Sequence, residues 1–95
     1  MKHAGKDALG NLELVLTVLR EHGAVVERTP GSFYLRSNAF IHFHEDQLGL
    51  FADLKEDFVS FSRYRVSTRT EQRALIARIK SCLSTAGANK AGKKK

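Results

Sequence analysis

The amino-acid sequence predicts an α+β domain in two layers, an antiparallel meander of three to five strands with an N-terminal and a C-terminal helix on one face. Three observations predict it. Apolar residues recur at helical spacing near both ends of the chain. Between those ends lie short runs of β-branched and aromatic residues separated by turn signals. The length, 95 residues, suits one hydrophobic core and is too short for two. Residues 1–6 are expected as a flexible lead-in, 7–85 as the single domain and 86–95 as a disordered basic tail.

The first helix is predicted from Asp7 to His22, where Leu9, Leu12, Val15, Leu16 and Leu19 form one stripe. Asp7 suits the N-cap. Gly23 suits the stop, with Arg20 and His22 placed in the last turn where the helix dipole favours cations. The run Ala24 to Arg28 favours a strand, and Phe33 to Arg36 can return beside it through Thr29-Pro30-Gly31-Ser32. That tetrad puts Pro and Gly in the two central positions of a type II turn. Ser37-Asn38 then marks a break or bulge.

Ala39 to Glu45 is the strongest strand, and Asp46-Gln47-Leu48-Gly49 reads as a turn leading into Leu50 to Leu54. A further turn at Glu56-Asp57 sends the chain back through Phe58 to Val66. Thr68 and Glu71 have the Ser/Thr-x-x-Glu spacing of a capping box. The helix they open carries a stripe of Leu75, Ile76, Ile79, Cys82 and Leu83 and is expected to end before Gly87.

Charge is unevenly distributed. Residues 1–60 hold six Lys/Arg against nine Asp/Glu, and residues 61–95 hold ten against one. Arg63, Arg65, Arg69 and Arg73 surround Tyr64, an interleaving of cations and an aromatic that suits nucleic acid, and the lysine tail adds attraction for any polyanion. The same arginines also suit a solvated strand edge that resists aggregation. The lone cysteine, Cys82, stands on an apolar helix stripe and points to packing in a reducing, cytoplasmic compartment. No run is long and apolar enough to cross a bilayer, so no membrane partner is expected. The sequence holds no Gly-x-Ser-x-Gly, Gly-rich phosphate loop or Cys-His signature, so a binding module is favoured over an enzyme, with no cofactor required.

His42 and His44 are the residues with the most distinctive chemistry. Positions i and i+2 of a strand share a face and offer two imidazoles to one metal ion. A third ligand is needed, and Asp53, Glu45, His3 and His22 are the candidates. The register of the hairpin decides which. If its loop has three residues and closes on Leu50, His44 faces Ala52, Phe43 faces Asp53 and His42 faces Leu54, which puts Asp53 on the opposite side from the histidines. A slip of one residue pairs His42 with Asp53 instead.

The first register is the one expected. It places Phe40, His42, His44, Leu50, Ala52 and Leu54 under the helices and leaves Ile41, Phe43, Phe51, Asp53 and Tyr64 on the open face. Large apolar groups there suit a partner surface, with a homodimer as the leading expectation. If the helices cover that face instead, the histidine pair is exposed to solvent. Phe40-Ile41-His42-Phe43-His44 through Leu50-Phe51-Ala52-Asp53-Leu54, with Val66-Ser67-Thr68 and Glu71-Gln72, resembles a family of short bacterial proteins with a Phe-x-His-Phe-His hairpin followed by an Ala-Asp strand. The resemblance implies the hairpin-plus-helix layout and attaches no activity to it.

Overall fold

The structure, a computed structural model, describes the backbone of residues 2–92 and the side chains of residues 2–85. Its elements run β1 (Lys2–His3), α1 (Lys6–Gly10), α2 (Glu13–Glu21), β2 (Val25–Thr29), β3 (Ser32–Leu35), β4 (Asn38–Asp46), β5 (Gly49–Leu54), β6 (Ser62–Arg65) and α3 (Arg69–Gly92). The sheet is antiparallel in the order β2-β3-β4-β5-β6, with β1 paired to β4 off that path. The α+β meander is therefore as expected. Lys2 and His3, in the segment expected as a lead-in, pair with Glu45 and His44. The expected tail lies outside the residues whose side chains are described, although the backbone of α3 continues past Gly87 to Gly92. Among the described residues, no helix is long and apolar enough to cross a membrane.

The single helix expected from Asp7 to His22 is instead two. Gly10 and Asn11 are poor helix formers, and the Asn11 and Leu12 amides turn back onto Ala8 and Leu9 at 3.1 and 3.0 Å in a tightened last turn. The apolar stripe survives the break. Leu12, Val15, Leu16 and Leu19 are fully buried beside Leu75, Ile79, Cys82 and Leu83 of α3. The break also leaves the Asn11 carbonyl without a helical donor. Buried Gln72 supplies one, its amide reaching the Asn11 and Val66 carbonyls at 3.1 Å each.

The capping box forms as read, with Glu71 N–H donating to Thr68 Oγ1 at 3.1 Å and Thr68 N–H donating to Glu71 Oε1 at 3.0 Å. The turn at Pro30-Gly31 also forms, with Gly31 at φ +81° as the third residue of a type II turn requires. Between β3 and β4 the turn is tighter than the sequence suggests. Arg36 and Ser37 both take positive φ, 54° and 70°, giving a two-residue turn that usually carries Asn-Gly.

A bulge follows. Phe33 pairs with Ile41 but Tyr34 pairs with Ala39, so Phe40 is the extra residue, and both Phe40 and Ile41 are buried. The last strand is shorter than expected. Asp57 Oδ1 accepts the Val59 and Ser60 amides at 2.9 and 2.8 Å, which holds residues 55–61 as a loop and delays pairing until Ser62.

The β4–β5 hairpin decides which side of the sheet is which. Its loop closes on Gly49, not Leu50: Asp46 pairs with Gly49, and the ladder continues as His44 with Phe51, Phe43 with Ala52, His42 with Asp53 and Ile41 with Leu54. Asp46 Oδ1 accepts the Leu48 amide at 2.7 Å, and Gly49 takes φ +130°. This is the slipped register: Ile41, Phe43, His42 and His44 of β4 change face relative to expectation, while Phe51, Ala52, Asp53 and Leu54 of β5 keep theirs. Phe33, Leu35, Ile41, Phe43, Ala52, Leu54 and Val66 form the buried sheet face beneath α2 and α3.

Candidate metal centre

The face away from the helices is built by alternation. On β4, Ile41 and Phe43 point into the core, so His42 and His44 point out. On β5, Ala52 and Leu54 point in, so Phe51 and Asp53 point out. On β6, Arg63 pairs with Asp53 and Arg65 with Phe51, which puts both arginines on the open face too. β1 lies along the other edge of β4 and sets His3 opposite His44.

Three potential donor groups converge there. One ligand atom each from His42, His44 and Asp53 lie within 4.8 Å of one another. His42 Nδ1 stands 3.3 Å from His44 Nε2, and His44 Nε2 stands 2.9 Å from Asp53 Oδ2. Donors bound tetrahedrally at ~2.0–2.1 Å from a zinc ion are separated by about 3.3 Å, so the histidine pair already has the spacing of two ligands of one ion. The histidines are part-buried and Asp53 is buried.

Arg63 holds the carboxylate in place. Its Nε donates to Asp53 Oδ1 at 2.7 Å and its Nη2 to Oδ2 at 2.9 Å, the paired geometry in which a guanidinium fixes a carboxylate plane. This hydrogen bonding, more than any other cause, holds the Asp53 carboxyl below the ordinary range and keeps it ionised. Phe61 sets its ring edge against His42, 4.7 Å between centroids, and Lys55 Nζ lies 4.9 Å above the Phe61 ring. Burial pushes the His42 imidazole below its usual value, reinforced by His44 and opposed by Asp53. A neutral imidazole is the form that binds a metal.

Two of the remaining candidates, Glu45 and His22, fall elsewhere. Glu45 turns its carboxylate to the Gly5 amide at 2.6 Å, and His22 Nδ1 accepts the Ala24 amide at 3.2 Å, so neither joins the cluster. Of the expected partner surface, Phe51 and Asp53 are on the open face, whereas Ile41 and Phe43 are sealed in the core at 0% and 1% exposure. Tyr64 is also on the helix side. Its hydroxyl donates to Glu56 Oε1, and the Arg78 guanidinium covers its ring at 4.6 Å.

The four arginines considered for nucleic acid do not form one surface of free cations. Arg63 is committed to Asp53, and Arg65 stands 3.6 Å from Glu71 across to the start of α3, where Arg69 and Arg73 are exposed. The pairing of Arg63 with Asp53 is the feature of the candidate site that sequence reasoning missed. The signal was present, since β6 alternates and its arginines had to share one face. Comparison of the chain with protein-family models, with curated proteins and with solved structures finds no match.

Proposed function

We propose that this chain is a small metal-binding protein whose site is the open face of the sheet, with His42, His44 and Asp53 as ligands to a divalent transition ion. One observation carries the proposal: two imidazoles and a carboxylate from paired strands converge within 4.8 Å. The donor chemistry selects the ion. Imidazole nitrogen suits zinc, nickel, copper or iron, whereas magnesium and calcium prefer sites built from oxygen. Arg63 then acts as the outer partner that orients the Asp53 carboxylate, as the outer hydrogen bonds of metal ligands commonly do. A reducing cytoplasmic setting, in which the buried Cys82 thiol stays reduced, belongs to the same proposal.

Self-association through the open sheet face rested on Ile41 and Phe43 being there. With both buried, that face carries histidine, aspartate and arginine in their place, and the argument from large apolar groups no longer supports a dimer. The test of the metal reading is zinc titration of the full chain followed by calorimetry and metal analysis near neutral pH. One equivalent is expected to bind, and a His42→Ala/His44→Ala variant is expected to bind none. Failure of the wild-type chain to take up zinc, nickel or cobalt would overturn the proposal.

A further inference from the structure

We infer that His3 is the fourth ligand of this site, so that a bound ion ties β1 to β4 and β5. The inference rests on the metal reading above and extends it to a residue outside the converging set. Register places it there: His3 lies directly opposite His44 in the antiparallel ladder, and residues opposite each other present their side chains to the same face. Its ring centroid is 5.1 Å from that of His44 and 6.2 Å from that of His42. Three imidazoles and one carboxylate are thus gathered from three strands on one side of the sheet.

The backbone around His3 is anchored and its side chain is not confined. Ala4, the next residue, is buried and donates its amide to the Phe43 carbonyl at 3.0 Å, and Gly5 donates to Glu45 Oε2 at 2.6 Å. The His3 side chain is exposed, so rotation about its two side-chain torsions carries the ring toward His42 and His44 without moving the strand. Zinc held by proteins is almost always four-coordinate in closed sites, and the converging set supplies three ligands. His3 completes the set as three nitrogens and one oxygen. Two residues of β1 make a short strand, and an ion bound across to β4 adds what the ladder alone does not provide.

The experiment compares the wild-type chain with His3→Ala and His42→Ala, each without an added affinity tag, using zinc for affinity and cobalt(II) for coordination geometry. A structural zinc site in a small peptide binds strongly enough that one of four ligands is worth about a hundredfold in affinity. His3→Ala is therefore expected to keep one equivalent of zinc at about a hundredfold lower affinity, and to lose intensity in the visible cobalt bands of four-coordinate geometry. Amide exchange at Ala4 is expected to slow on zinc binding in the wild-type chain and to be unaffected by zinc in His3→Ala. Unchanged exchange across β4 and β5 in the zinc-free variant shows that its sheet is intact.

Zinc affinity of His3→Ala within threefold of wild type, with binding still lost in His42→Ala, overturns the role of His3 and leaves the three-residue site standing. Absence of uptake by the wild-type chain overturns both.

Discussion

Substitution of Gly49 by alanine tests the hairpin register on which the site depends. Gly49 closes the loop at φ +130°, a conformation that costs an L-residue roughly 1–2 kcal/mol. A Cβ at that position also collides with Ser67 Oγ, the acceptor of the Leu50 amide at 2.9 Å. Displacing Ser67 removes that part-buried hydrogen bond, worth about 1 kcal/mol. Gly49→Ala is therefore expected to destabilise the protein by about 2–3 kcal/mol, lowering Tm by roughly 10–20 °C for a domain of this size.

Ser67→Ala alone costs about 1 kcal/mol through the same bond. The two losses overlap, because either change breaks it. The double variant should therefore be less destabilised than the sum of the singles by about 1 kcal/mol, well above the ~0.3–0.5 kcal/mol within which independent sites add. Urea unfolding followed by far-ultraviolet circular dichroism is the suitable assay, since the chain contains no tryptophan. A Gly49→Ala effect below about 0.5 kcal/mol, or strict additivity with Ser67→Ala, would refute the reasoning. The pairing of His42 with Asp53 would then lose its basis, because a loop that did not close on Gly49 would turn Asp53 away from the histidines.

Two further outcomes follow from the same arrangement. Phe43→Ala should cost about 3–5 kcal/mol, because Phe43 is fully buried edge-on against Phe33 at 6.4 Å, whereas Phe51→Ala on the open face should cost about 1 kcal/mol or less; equal costs in chemical denaturation would count against the assignment of faces. The Glu56 carboxyl is held below its ordinary value of 4.5, first by the Tyr64 hydroxyl and then by Arg78. Its ionised form is therefore the one the fold favours. The stability it contributes is complete above about pH 4.5 and is lost as pH falls through the lower folded value, so Glu56→Gln should flatten the acid limb of a Tm-versus-pH profile, and an unchanged limb would contradict the contact.

Local signals foretold most elements correctly. The Thr68–Glu71 box, the Pro30-Gly31 turn and the two apolar helical stripes are interactions among residues a few positions apart, whose geometry the chain carries within a single turn. Where local signals misled, a neighbour distant in sequence had decided the outcome. The break at Asn11 is stabilised by Gln72, 61 residues away, which satisfies the carbonyl that the break exposes. The positive φ angles at Arg36 and Ser37 have no Asn-Gly signature to announce them, and the bulge at Phe40 becomes visible only when β3 and β4 are paired.

The sequence by itself determined that His42 and His44 share one face and Phe51 and Asp53 another or the same, because alternation is a property of a single strand. It did not determine how the two strands are phased. A period of two leaves two phases, differing by one residue of loop and reversing every side chain of β5 relative to β4. Tertiary structure chose between them. Closing the loop at Gly49 lets Ile41, Phe43, Ala52 and Leu54 all meet the helices, a burial that the other phase divides between the two faces. The same choice brings Asp53 to the histidines and Arg63 to Asp53, so the candidate metal centre is a consequence of how the core is buried.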